Sequence, residues 1–174
     1  MIIRLLALAA SLAPAAAAAE VVSSSATHFR LESRATVPVA PAAVYAALGN
    51  VGSWWNVAHS YSGNAASLRL DPRAGGCFCE AMPDGGSIEH GRVLQARPGA
   101  MLRLQAAFGP LQGEAVSGVL TWTLRAAGTG TEIVQTYAVS GHVEGGVAAL
   151  AAPVDSVMRD QLEHLRAHLT PARR

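Results

Sequence analysis

The sequence predicts an α+β fold: a curved, seven-stranded antiparallel sheet, two short helices, and one long C-terminal helix lying on the sheet over a cavity. Three observations carry this prediction. His28 to Val37 alternates, with Phe29, Leu31, Ala35 and Val37 on one face and His28, Arg30, Glu32 and Arg34 on the other, the two-residue period of a half-buried strand. From Ser67 onward, turn signals recur at intervals of about 8 to 16 residues, the spacing of an antiparallel meander. Gly146 to Leu169 then places Leu150, Val154, Val157, Met158, Gln161, Leu162, Leu165 and Leu169 along one helical stripe. Asp155, Arg159, Asp160, Glu163 and Arg166 lie opposite, as expected for a helix resting on a sheet.

Taken in order, residues 1–19 have the form of a signal peptide. Arg4 supplies the positive start, Leu5 to Leu12 is apolar, and Ala17-Ala18-Ala19 offers a cleavage site before Glu20. A retained anchor is the lesser alternative, because the apolar stretch falls short of the roughly 20 residues a spanning helix needs. The expected location is therefore periplasmic or secreted, with no integral membrane segment after signal removal. Residues 20–27, including Ser23-Ser24-Ser25, read as a disordered start, and residues 28–170 as a single domain. After the first strand, Pro38 and Pro41 break the pattern, and Pro41 to Gly49 reads as a helix with Pro in its first turn and Gly at its end. A second short helix is expected through Val51 to Asn56. The remaining strands are expected near Ser67–Leu70, Cys77–Met82, Ser87–Ala96, Met101–Phe108, Gly118–Ala126 and Thr131–Ser140, and Pro153 should kink the last helix or mark its first turn.

Composition excludes several chemistries. The chain contains no Lys, which removes Schiff-base catalysis and a P-loop lysine. Loss of Arg4 with the signal would leave arginines and acids in balance, and the arginines are scattered, so nucleic acid is not an expected partner. G-x-S-x-G, H-E-x-x-H and a G-x-G-x-x-G after a strand are all missing.

Val37-Pro-Val-Ala-Pro-Ala-Ala-Val-Tyr-Ala-Ala-Leu48, Trp54-Trp55, Ala74-Gly-Gly-Cys-Phe-Cys-Glu80, Glu89-His-Gly-Arg-Val93, Pro98-Gly99 before Met101-Leu-Arg-Leu104, Gly118-Val-Leu-Thr-Trp122 and Gly130-Thr131 follow one another across nearly all of the chain after residue 19. In these segments the chain resembles the START-like (SRPBCC) ligand-binding superfamily, in particular its polyketide cyclase/dehydrase and lipid-transport branch. The resemblance implies the helix-grip fold and a hydrophobic small-molecule ligand, lipid or polyketide-like, in a protein that is a monomer or weak homodimer. One cytosolic branch resembles activators of a chaperone ATPase, a role that export would exclude. No cofactor is implied.

Site candidates follow from residue chemistry. Trp54, Trp55 and Tyr61, with His59, form the densest aromatic group, in the region that rims the cavity mouth in this fold. Trp122 and Tyr137 are further candidates for the ligand wall. For each Trp the competing reading is plain core packing. Glu80 and His90 are the acid/base candidates for a cofactor-independent cyclase, dehydratase or isomerase, with Tyr61 or Tyr137 as proton donor. Because neighbours on a strand point oppositely, at most one of Glu89 and His90 can face inward. Non-catalytic binding is the leading expectation. Cys77 and Cys79, two apart on a strand, are the disulfide candidate or two buried thiols. A bridge needs a bulge or turn, for which Gly75-Gly76 gives slack, and a thiol-redox role depends on it. No metal site is expected. Cys77-x-Cys79 lacks a second ligand pair, and His164 and His168, at helical i,i+4 spacing, read as a solvated flank.

Overall fold

A computed structural model describes residues 19–170; the segment expected to be a signal peptide lies outside them except for Ala19. The elements are β1 (Ala19–Ser25), β2 (His28–Val37), α1 (Pro41–Gly49), β3 (Leu68–Leu70), β4 (Cys77–Ala81), β5 (Ser87–Arg97), β6 (Met101–Ala106), β7 (Ala115–Ala127), β8 (Gly130–His142) and α2 (Ala151–Leu169). Short 3-10 turns occupy Val51–Ser53, Val57–His59, Ala65–Ser67, Gly109–Gly113 and Val147–Leu150. All strands join one eight-stranded antiparallel sheet in the order β1-β2-β8-β7-β6-β5-β4-β3.

The eighth strand corrects the expectation of seven. Of residues 20–27, expected to be a disordered start, residues 20–25 instead continue from Ala19 as a strand on β2, from Ala19 opposite Ser33 to Ser25 opposite His28, with a register shift between Val21 and Ser23. The serines carry little apolar signal, but a neighbouring ladder satisfies their backbone groups whatever the side chains are. The second helix also contracts, to a single 3-10 turn at Val51–Ser53.

The alternation read in β2 is the one observed: Phe29, Leu31, Ala35 and Val37 are buried, and Ser33 joins them. Across the sheet, Leu102 and Leu104 of β6, Leu120 and Trp122 of β7, and Ile133, Tyr137 and Val139 of β8 supply the same inner face. α2 covers that face with Met158, Leu162 and Leu165, and its chief strand partners are β2 and β1. Pro153 sits in the first turn of α2, where its missing N–H removes no helical bond. Asp155, assigned by periodicity to the outer side, is buried on the inner one, where Oδ2 accepts from Arg159 Nε at 3.0 Å.

A polar bridge fastens the helix to the sheet. Trp122 Nε1 donates to Gln135 Oε1 at 2.8 Å, and Gln135 Nε2 donates to the Met158 carbonyl at 2.9 Å. Gln135 is only 2% exposed, so both ends of its amide must be satisfied from within, and both are.

Candidate functional site

Where α2 begins, the sheet and the helix do not close on each other, and a cavity of about 480 Å³ opens between them. Three segments and one strand side chain form its walls. The lip from Trp55 to Tyr61 is one wall, the turn from Phe108 to Leu111 faces it, and Leu150, Val154, Val157 and Met158 of the helical segment form the third. His90 of β5 completes the lining. This is why Val154 and Val157, members of the apolar stripe, remain only half-buried: they face the cavity and not the sheet.

Aromatic rings extend the wall into the core. Trp55 packs edge-on against Phe78 with centroids 5.2 Å apart and lies 6.1 Å from Phe108. Phe108 in turn meets Tyr137 at 5.6 Å. The His90 ring sits among Phe78 at 5.0 Å, Tyr61 at 5.8 Å and Phe108 at 6.5 Å.

His90 faces inward because of a bulge. Phe78 of β4 pairs with Gly91, but Cys79 pairs with Glu89, so His90 is the extra residue on β5. Gly91 allows the close approach this requires: a Cβ there would lie 2.6 Å from the Gln105 carbonyl oxygen and 2.7 Å from Ala106 Cβ. Glu89 remains exposed and His90 is buried, so one member of that dipeptide faces inward.

Behind His90 lies Glu80, 1% exposed. Its Oε2 is 2.8 Å from His90 Nε2 and accepts from the Tyr61 backbone N–H at 3.1 Å, while Oε1 accepts from the Ser62 backbone N–H at 2.6 Å. Burial, the largest single influence, pushes the Glu80 carboxyl up. The hydrogen bonds from Ser62, Tyr61 and His90 together outweigh it and hold the group below its ordinary value of 4.5. One buried carboxylate thus fastens the lip to β4 and orients the imidazole.

The lip is fastened elsewhere too. Tyr61 Oη crosses to the opposite wall and donates to the Gly109 carbonyl at 3.2 Å. Trp55 Nε1 donates to the His59 carbonyl at 3.0 Å, and Asn56 Nδ2 donates to Asp160 Oδ2 of α2 at 2.7 Å. His59 Nε2 approaches the same carboxylate oxygen at 3.6 Å.

Of the residues expected to contact a ligand, Trp55, His59 and Tyr61 line the cavity together with His90. Trp54, Trp122 and Tyr137 do not. Trp54 is buried with Nε1 donating to the Ala47 carbonyl at 2.8 Å, and Trp122 is committed to Gln135. Tyr137 lies behind Phe108 and donates to the Ala106 carbonyl at 3.0 Å, and burial pushes its hydroxyl well above its ordinary value. For these three, core packing is the role their surroundings assign, and Tyr137 is removed as a proton donor to the cavity.

Sequence reasoning missed Phe78, Phe108 and the helical valines as one assembly. Phe108 carried a usable signal, an aromatic placed directly before the Gly109-Pro110 turn. The Glu80 contact to the lip carried none, because it joins residues across a loop of irregular backbone.

Cys77 and Cys79 are joined in a disulfide with Cα atoms 5.5 Å apart, so the bridge and not the free dithiol is what the structure contains. It lies on the outer face of β4; the extra residue at the neighbouring register shift belongs to β5, and the two cysteines reach bridging distance on β4 itself, without the expected bulge in their own strand. The sulfurs and a Glu89 carboxylate oxygen lie within 4.8 Å of one another, but sulfurs bonded to each other offer no thiolates to a metal. His164 and His168 turn outward from α2, His164 toward Asp160 at 3.9 Å and His168 toward Ser53 Oγ at 3.5 Å. No described helix is long and apolar enough to cross a membrane.

Comparison with known proteins agrees with this architecture. No curated protein matches the sequence as a relative. A protein of Rhizobium loti shares 22% identity over 82% of this chain and 97% of its own, with a TM-score of 0.61. A protein of Rhodobacter sphaeroides shares 22% over 87% of this chain and 97% of its own, with a TM-score of 0.57. The Aha1 dimer from Colwellia psychrerythraea shares 16% over 80% and 95%, with a TM-score of 0.57. At such identities these structures establish the shared helix-grip fold. The sequence model that matches residues 28–170 is that of "Polyketide cyclase / dehydrase and lipid transport", and the chain belongs to that family.

Proposed function

We propose that the protein binds a hydrophobic small molecule, lipid or polyketide-like, in the cavity between the lip, the Phe108–Leu111 turn and α2, and that it does so outside the cytoplasm. The observation that carries the binding reading is the cavity itself. Its volume falls within the roughly 300–1,000 Å³ of small-molecule sites, and its walls are Trp, Phe, Leu, Val, Met and Pro side chains interrupted by few polar groups. Export rests on the form of residues 1–19.

Native mass spectrometry of gently purified protein, followed by solvent extraction, tests the binding reading. A discrete adduct that leaves on denaturation and extracts into organic solvent is the expected result. Bare protein that also takes up none of the neutral probe N-phenyl-1-naphthylamine would remove the proposal. Fractionation of cells expressing the full chain tests export: a mature protein beginning at Glu20 outside the cytoplasm supports it, and an intact cytoplasmic chain overturns it.

A second reading, acid/base catalysis, is favoured by one observation, the 2.8 Å contact between Glu80 and a cavity-lining His90. A carboxylate that orients an imidazole is the arrangement general bases use. Proton exchange at the α-carbon of a bound cyclic ketone such as 2-tetralone, accelerated by wild type and not by His90→Phe, would distinguish catalysis from binding.

A further inference from the structure

Among the described residues, His90 is the one buried titratable side chain in the cavity wall, and its two ring nitrogens differ. Nε2 is engaged with Glu80 Oε2 at 2.8 Å, while no protein group among the described residues hydrogen-bonds Nδ1. Glu80 is acceptor-only when ionised, so the proton of a neutral His90 belongs on Nε2 and the lone pair is left on Nδ1. The rest of the wall supplies little competition. Tyr61 Oη commits its proton to the Gly109 carbonyl and Ser60 Oγ commits its own to the Val57 carbonyl, so neither is a free donor, and the lining includes no Arg, Asp or Glu among the described residues. A ligand carrying a full charge into this cavity would lose its hydration and find no fixed counter-charge.

We infer that His90 Nδ1 is the hydrogen-bond acceptor that anchors the ligand, and that the ligand is accordingly a neutral apolar molecule with an O–H group, a phenol or an enol. Glu80 is the positioning residue, holding the imidazole in the tautomer that accepts. The surrounding rings fit such a ligand: Tyr61 and Phe108 stand beside the imidazole and Trp55 packs against Phe108 on the same cavity wall, so a planar hydroxylated ring can lie against them while its hydroxyl reaches His90. This inference rests on the cavity being a hydrophobic binding site and adds the chemistry of what enters it.

The test compares 2-naphthol, 2-methoxynaphthalene and 2-naphthoate by quenching of tryptophan fluorescence in the full protein. Wild type is expected to favour 2-naphthol over its methyl ether by about tenfold, the scale of one buried hydrogen bond made or lost. The preference should vanish in His90→Phe and narrow in Glu80→Gln, where an amide that can donate as well as accept no longer dictates which ring nitrogen carries the proton. Because either variant could fail to fold, the ¹⁵N resonance of His90 Nδ1 in wild type provides an independent reading and should move on addition of 2-naphthol and not of the ether. Equal affinities for naphthol and ether, tighter binding of naphthoate than of naphthol, or a stationary Nδ1 resonance would each overturn the inference while leaving the hydrophobic site intact. Saturable binding by none of the three would instead bring down the site itself.

Discussion

At the scale of single residues, the buried carboxylate of Glu80 governs most of the site. It accepts from two lip amides and from His90, so its loss leaves a buried imidazole and two part-buried backbone donors unpaired. Glu80→Ala is therefore expected to destabilise the fold by about 3 kcal/mol, read as a lowered urea midpoint. A change under 0.5 kcal/mol would show that the network is not formed. The pH dependence has a definite sign. The folded-state pKa of Glu80 is held below its ordinary 4.5, so the unfolded chain binds the proton more readily. The contribution of Glu80 is complete above that ordinary value and is lost as the pH falls through the folded one. Acid titration of stability should accordingly be steeper in wild type than in Glu80→Gln. None of these contacts was legible in the sequence, which offered Glu80 and His90 only as acid and imidazole on nearby strands. The partners that matter, the Tyr61 and Ser62 amides, are backbone groups, and nothing in residue identity announces where a loop's amides point.

At the scale of elements, the strands and helices were readable wherever a periodic pattern met a turn signal. β2 and α1 begin and end where alternation and the Pro41/Gly49 punctuation put them. β1 was not readable, because an edge strand is formed by pairing to its neighbour and its serines show no buried face. β4 carries the bridge and lies opposite the bulge of β5. Reducing Cys77–Cys79, or replacing both with Ser, is expected to cost about 1.5 kcal/mol by the chain-entropy account of so small a loop. Chemical unfolding with and without a thiol reductant measures it, and no difference would contradict it. β7 depends on Gly118, where a Cβ would collide with the Ala106 carbonyl oxygen and lie 2.8 Å from Tyr137 Oη. Gly118→Ala should therefore break the Tyr137–Ala106 bond and destabilise by 2 kcal/mol or more, roughly the cost of overpacking a core; thermal unfolding is the readout, and an unchanged midpoint would show that the strands can separate locally.

At the scale of the whole molecule, the sheet wraps one long helix but diverges from it near the helix start, and the cavity is what remains between them. The fold class was legible because it follows from the sequence of turns and one amphipathic stripe. The cavity's occupied and empty portions were not, since Trp54, Trp55 and Trp122 look alike in sequence and only packing separates Trp55 on the wall from the two in the core. This space is where the proposed ligand would sit. Val157 lines it and is half-buried, so Val157→Trp should fill it with little strain on the fold. The most direct measurement is titration of wild type and Val157→Trp with N-phenyl-1-naphthylamine, followed by probe fluorescence. Saturable one-to-one binding by wild type, reduced at least tenfold in Val157→Trp at unchanged thermal stability, is the predicted result; no saturable binding by wild type, or equal binding by a folded variant, would contradict it.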